Sequence, residues 1–425
     1  MGVVSSMSTA ISGLEANGQA LGVITDNIVN ANTTGFKASR SEFQNILAET
    51  SGSGIQIGRG AGLAGVTNIL SQGSVTHTDR PTDLAISGNG MFILKGDALG
   101  QTYTRDGSFR FDKDGWLVNL NGYRVQAYEA TPTGAISGKL TDIRIPYNTI
   151  AAKQTESVQL HVNLDARAPI GGPIDLTKPE ETSQFNTGIQ VFDSVGNARP
   201  LTMYYNKTAE NTWEFYAMTD GGNLSDGVPG EQSVVVQGTL SFDQNGRLEN
   251  VSQNIVNTNF VGAVADQNLQ FNFGDPLDQL GSGEKGTTQY GSKSAMFRNV
   301  QDGWAAGVLT DTSIDADGIV QGVYTNGQNR TLGQLGVARF EATERLSKMG
   351  DNQFRESVLS GQPLIGKPNT NGRGIVMTKS LEQSNVDLAH EFVQMIKAQR
   401  GFQASAKGVT TANEMLDEVV NLKSR

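Results

Sequence analysis

The sequence predicts a mainly β protein carrying a long α-helix at each end. Three observations support this: apolar heptads confined to the two ends, two-residue alternation between them, and a glycine-rich, proline-poor composition suited to tight turns. Gly reaches 51 residues against 11 Pro in a chain of 425, and 37% of residues are hydrophobic, too many for a disordered chain.

Over residues 4–28, Met7, Leu14, Leu21 and Ile28 recur seven apart, while Val4 and Ile11 begin a second register that lapses into Gly18 and Thr25. Gly35, after Thr33 and Thr34, is a natural stop. At the other end Leu388, Met395, Phe402, Val409 and Leu416 hold one register, and Phe392, Ala406 and Val420 occupy most of its partner. Ser384 with Asp387 reads as a capping box opening this second helix. Both stripes contain glycines (Gly13, Gly18 and Gly22; Gly401 and Gly408), each costing about 1 kcal/mol relative to Ala in a helix interior. Helices so weakened depend on packing against one another or against other chains, which makes them candidate assembly helices. Gln399 and Asn413 interrupt the C-terminal stripe and either fix its register as buried amides or face solvent.

Between the ends the period changes to two. Asp83-Leu84-Ala85-Ile86-Ser87, Ser157-Val158-Gln159-Leu160-His161-Val162 and Trp213-Glu214-Phe215-Tyr216-Ala217 read as strands. Asn-Gly pairs at Asn89, Asn121, Asn245, Asn326 and Asn371 mark turns. Residues 49–65, rich in Ser and Gly, read as a linker or long loop, and residues 148–285 carry their own strand-and-turn pattern, as an insertion would.

Phe111-Asp112-Lys113-Asp114-Gly115 recurs in kind at Phe242-Asp243-Gln244-Asn245-Gly246 and Ile314-Asp315-Ala316-Asp317-Gly318. None has the ligand set of a calcium loop, so each reads as a turn in which the first Asp bonds its own backbone and Gly takes positive φ.

The net charge of −10, with no block of Lys and Arg, argues against a nucleic-acid partner and against an anionic membrane surface. No run spans a bilayer, and with Lys37 the first basic residue there is no signal-peptide n-region. The absence of cysteine excludes disulfides, zinc–thiolate sites and a thiol nucleophile. His77, His161 and His390 are isolated, and Gly52-Ser53-Gly54-Ile55-Gln56-Ile57-Gly58 misses both dinucleotide and P-loop spacing. The expectation is therefore a non-enzyme with no catalytic, cofactor or metal site.

Four stretches converge on one family. Asn27-Ile28-Val29-Asn30-Ala31-Asn32-Thr33-Thr34-Gly35-Phe36-Lys37 resembles the N-terminal signature of flagellar rod and hook proteins, with Asn27, Asn30, Asn32, Gly35 and Phe36 its distinctive positions. Arg80-Pro81-Thr82-Asp83 through Gly90, and Tyr103-Thr104-Arg105-Asp106-Gly107-Ser108-Phe109, are similar to its central segment. Ser384-Asn385-Val386-Asp387-Leu388 through Asn413-Glu414-Met415-Leu416 resembles its C-terminal signature. The length, and the segment from Leu332-Gly333-Gln334-Leu335 to Ser360-Gly361, are like those of the hook members.

The resemblance implies discontinuous β domains nested between N- and C-terminal coiled-coil assembly helices. Residues 1–30 with 384–425 would form an inner helical layer, 31–75 a connecting segment, 76–147 with 286–383 one β domain, and 148–285 an inserted outer β domain. It implies a structural subunit of the bacterial flagellar hook, polymerising into a curved flexible tube that transmits torque from rod to filament. The implied partners are further copies of itself, the rod, hook cap and hook–filament junction proteins, and the flagellar type III export apparatus, with no nucleic acid and no membrane insertion. The implied location is the extracellular hook, reached without a cleaved signal peptide. The alternatives are a distal rod protein of the same family and, from another class, a secreted oligomeric adhesin or glycan-binding β protein with the helices as its stalk.

Overall fold

The computed structural model describes residues 2–47, 58–96, 100–131, 134–145, 149–255 and 258–423. The chain divides into two compact units, Met1–Tyr147 with Asp311–Val323 and Asn329–Arg425, and Asn148–Thr310 with Tyr324–Gln328.

In the first unit the terminal stripes form the helices Gly2–Val29 and Leu388–Lys423. Its largest sheet interleaves strands from both parts of the chain: Asn329–Leu335, Arg124–Ala130, Met91–Gly96, Gly100–Thr104, Gln353–Arg355 and Ser347–Gly350 follow one another. The registers Leu335↔Ala127, Leu94↔Val125, Ile93↔Tyr103 and Phe354↔Tyr103 fix which side chains share a face. Met91–Gly96 is buried on both faces because it alternates between two cores. Phe92 and Leu94 join Leu84, Ile86, Phe109 and Val337, while Met91 and Ile93 join Tyr103, Phe340, Leu346 and Phe354. Phe92 meets Phe109 edge to face at 5.1 Å, a favoured aromatic geometry.

The second unit is built on the antiparallel meander Phe185–Phe192, Ala198–Ala209, Thr212–Asp220, Gln232–Phe242 and Leu248–Ile255. A three-stranded sheet completes it, with Ser157–Asn163 between Gln270–Asn272, which is parallel to it, and Ala295–Gln301, which is antiparallel. Trp213, Phe215 and Ala217 alternate into one core with Val158, Leu160 and Val162. Buried Trp213 is satisfied by Gln289, its Nε1–H donating to Oε1 at 3.2 Å.

Two boundaries differ from those read in the sequence. Ala295–Gln301 belongs to the second unit, beyond the expected end at residue 285, because it pairs with Ser157–Asn163 from Val158↔Gln301 onward. Within the supposed linker, Ser39–Leu47 pairs antiparallel with Gly58–Asn68. Residues 58–65, expected as loop, are therefore strand, and 49–57 lie outside the described residues.

The three Asp-Gly segments are turns as expected. Asp112, Asp243 and Asp315 each use Oδ1 to accept backbone N–H groups two and four residues on, at 2.8–3.0 Å. Gly115, Gly246 and Gly318 take the positive φ that closes each turn. Asp193 and Asn119 build two more turns of the same kind.

Candidate functional site

The terminal helices pack antiparallel through their smallest residues. Gly13 faces Ser405, Gly401 faces Asn17, Gly408 faces Ala10 and Gly18 faces Phe402, with ideal Cβ positions 2.7–3.9 Å from those neighbours. Ala16, Ala20, Ala398 and Ala412 are buried. Three of the glycines that weaken the helices, Gly13, Gly401 and Gly408, thus let the two backbones approach closely, whereas Gly18 makes an ordinary contact and Gly22 faces open space.

Because small residues fill this seam, larger apolar side chains point elsewhere. Leu388 and Phe392 are exposed, as are Val393 and Ile396, Phe392 by 50% and Ile396 by 57%. Met395, Phe402, Val409 and Leu416 are half-buried. On the N-terminal helix Val4 and Ile11 are exposed, and Met7, Leu14, Leu21 and Ile28 half-buried. Gln399 and Asn413 are exposed, and the side chain of Val420 lies outside the described residues. A groove of about 530 Å³ runs beside the pair, lined by Ala20, Val23, Ile24, Phe43, Ile69 and Ala398 among others.

The helix opening differs from the expected box. Asp387 is itself the N-cap, its Oδ1 accepting from the N–H groups of Ala389 at 2.9 Å and His390 at 3.2 Å. Ser384 lies outside the helix, and its hydroxyl accepts from the N–H of Val386.

The motif residues join the helix pair to the β body. Buried Asn27 works as a strand mimic: its Oδ1 accepts from Ser39 N–H at 2.9 Å and its Nδ2 donates to Ser39 C=O at 2.8 Å. The same Nδ2 reaches Glu391 Oε1 at 3.2 Å in the first turn of the C-terminal helix. Asn30 closes the N-terminal helix, donating to Asp26 C=O at 2.9 Å and accepting from the Thr33 hydroxyl at 3.0 Å. Asn32 is exposed. Gly35, at φ +69°, passes so close to Asp106 that a Cβ would lie 2.5 Å from its backbone nitrogen. Buried Phe36 carries the Lys348 ammonium 4.8 Å above its ring, and Lys348 donates to Lys37 C=O and Ser39 Oγ. Burial holds Lys348 below the ordinary lysine pKa, against the opposing pull of Asp26.

Beneath this joint lies a buried charge cluster that residue patterns did not single out. Lys37 Nζ donates to Glu382 Oε1 at 2.6 Å with both side chains fully buried, and Arg105 Nη1 donates to Glu382 Oε2 at 3.1 Å. Gly73 N–H also donates to Oε1, at 2.8 Å. Lys37 donates further to Ser71 C=O, and Arg105 to the carbonyls of Ile86 and Gly88. Burial lowers the pKa of Lys37 and of Arg105, and Glu382 pulls both back up. One carboxylate thus holds the N-terminal signature, the central segment and the approach to the C-terminal helix together. Two cations inside the family motifs, with one acid just before the last helix, were the available signal.

Among the described residues no group of three His, Cys, Asp or Glu is placed to hold a metal ion, and no helix is long and apolar enough to cross a membrane.

Family models match successive parts of the chain: the flagella basal body rod protein at residues 7–37, the flagellar hook protein FlgE/F/G D1 domain at 85–162, the flagellar basal body protein FlaE D2 domain at 163–304, and the flagellar basal body rod FlgEFG protein C-terminal region at 377–422. Helical ends matched to rod models around β regions matched to a hook model and a basal body model define a structural subunit of the flagellar axial class. The flagellar hook protein FlgE of Salmonella typhimurium is 33% identical over 422 residues, covering 98% of this chain and all of its own. That of Borreliella burgdorferi is 33% identical over 445 residues, covering 99% of each. The chain belongs to the flagellar hook protein family, as a structural hook subunit. In fold it is similar to the Helicobacter pylori flagellar hook protein FlgE2, with a TM-score of 0.52 and 15% identity over 72% of this chain and all of that one.

Proposed function

We propose that the terminal helices carry self-assembly, and that the polymer is a curved, flexible tube passing torque from rod to filament. In this reading residues 1–30 and 384–425 form the inner layer, the interleaved β body surrounds them, and the Asn148–Thr310 unit lies outermost and sets shape. The role is mechanical and not enzymatic. The rod, the hook cap and the hook–filament junction proteins meet the polymer at its ends, and the flagellar type III export apparatus delivers the subunit.

The observation that carries the reading is the division of labour on the C-terminal helix. Small residues close the seam within the chain, while Leu388, Phe392, Val393 and Ile396 remain exposed along its first turns. Such a row, beside a groove of mixed polar and apolar lining, is the surface a helical neighbour would bury. The full-length relatives quoted above are hook proteins, which favours hook over distal rod and leaves the adhesin reading without support.

The test is Phe392→Asp. In a single chain this half-exposed site should tolerate the change within about 0.5 kcal/mol, whereas in an assembled seam it would bury an unpaired charge at a cost of several kcal/mol. Circular dichroism and melting of the monomer should match wild type, while sedimentation and electron microscopy show no tubes. Normal tubes from this variant would remove the helix row from the interface.

A further inference from the structure

Six Asn-Gly pairs occur in this chain; Asn17-Gly18 lies inside the N-terminal helix, and among the five outside it the backbone treats one differently. In three, glycine closes a turn and its nitrogen is engaged. Gly122 donates to Asn119 C=O at 3.1 Å, Gly246 to Asp243 C=O at 3.0 Å and Gly327 to Tyr324 C=O at 2.9 Å. The Asn326 side chain is also pinned, donating to Ala305 C=O and accepting from Gln328 N–H. At Asn89 the carbonyl accepts from Gly374 N–H at 2.6 Å, and Gly90 is packed so closely that a Cβ would sit 2.4 Å from Val337 Cγ1.

Asn371 sits in another kind of turn. Arg373 N–H donates to Thr370 C=O at 3.0 Å, and the central residues Asn371 and Gly372 have φ of 50° and 73°, as in a type I′ turn. Here glycine is a central residue and its N–H points away from the turn hydrogen bond. Among the described residues neither that N–H nor the Asn371 side-chain amide has a partner, and both residues are exposed. Arg339 Nη1 donates to Asn371 C=O at 3.2 Å and lies 3.1 Å from where a Gly372 Cβ would be. A guanidinium there favours the deprotonated amide nitrogen that must attack.

We infer that Asn371 is a site of spontaneous covalent modification, converting to aspartate or isoaspartate. The Gly372 nitrogen loses its proton to solvent base and attacks Asn371 Cγ. The Cγ–Nδ2 bond breaks, and ammonia departs with a proton from water. The resulting five-membered imide is opened by one water molecule at either carbonyl, giving aspartyl or isoaspartyl product with no oxidant or reductant. Either product places a carboxylate beside Arg339. The isoaspartyl form also lengthens by one methylene the turn leading into Ile375–Thr378, the strand paired with Leu84–Ser87. The inference is independent of the assembly reading.

The test follows the five pairs outside the helix within one molecule. Folded full-length protein is held at mildly alkaline pH in heavy-oxygen water, and peptide mass spectrometry times the amide-to-acid conversion at each. Glycines locked in turns must first break a hydrogen bond, so Asn371 should convert roughly five- to tenfold faster than Asn121, Asn245 or Asn326. In denaturant the rates should converge. If Asn371 is no faster in the folded protein, or keeps the same lead in denaturant, the inference fails.

Discussion

Glu382→Gln isolates the buried charge cluster in one nearly isosteric change. The carboxylate serves two cations, at 2.6 and 3.1 Å, and one backbone N–H at 2.8 Å. The amide retains shape and one acceptor but removes the only charge opposing Lys37 and Arg105 within the cluster. Lys37 would keep Ser71 C=O, and Arg105 the carbonyls of Ile86 and Gly88, which satisfy hydrogen bonds without neutralising charge. Removing one partner from a buried pair costs about 3–5 kcal/mol, against at most about 1 kcal/mol for an exposed pair. The retained acceptor places this case near 3 kcal/mol, equivalent to a protection loss of about a hundredfold. Hydrogen exchange of the monomer by mass spectrometry reads this directly. Amides of residues 35–39 and 84–87 should lose about that much protection, while those of Thr212–Asp220 in the second unit hold theirs. Lys37→Met added to Glu382→Gln should recover part of the loss by removing one stranded charge. A drop below about fivefold, or an equal loss in both units, would refute the claim that this cluster locks the first unit.

Two further outcomes follow from particular side chains. Gly35→Ala should cost about 1–2 kcal/mol for left-handed backbone, plus the shift forced by Asp106, whereas Gly100→Ala, at φ +71° in open space, should cost only the first part; equal losses in chemical denaturation would deny the close approach. Tyr103 has its pKa pushed up to about 12 by burial, with Glu356 adding to the shift. A raised pKa means the contribution of neutral Tyr103 is complete below the ordinary value of 10 and is lost as pH climbs from there towards 12. Burial also raises the pKa of Tyr204, Tyr205 and Tyr216, so tyrosinate absorbance should show several late-ionising groups, of which Tyr103→Phe removes one; loss instead of a group ionising near pH 10 would contradict the burial of Tyr103.

What the sequence disclosed was local. The stripes from Val4 to Ile28 and from Leu388 to Leu416 signal helices because heptads repeat within one element, and Asp112, Asp243 and Asp315 signal turns because each side chain bonds backbone at most four residues away. The helix seam was harder to read. Glycine is indistinguishable from a weak helix position until the residue across from it is known, and Gly401 acquires its meaning from Asn17. The strands Ser39–Leu47 and Gly58–Asn68 escaped notice because much of the first is exposed on both faces, which removes the alternation a half-buried strand would carry. The second unit extends past residue 285 because Ala295–Gln301 finds its partner more than a hundred positions earlier. Glu382 escaped for the same reason, since nothing near it in sequence explains a buried acid.

The Lys37–Glu382 contact joins residues 345 positions apart. Closing so long a loop costs several kcal/mol of chain entropy, about 5 from the length dependence alone. The pair can form only once the β body has already drawn its two flanks together. For a chain supplied one end at a time, the consequence is an order of events. The first helix emerges early with its local tie from Asn27 to Ser39, yet without this lock, because the acid that completes it belongs to nearly the last tenth of the polymer. Locking of the ends is thereby deferred until almost everything else is in place, and an incomplete chain holds its beginning unlocked.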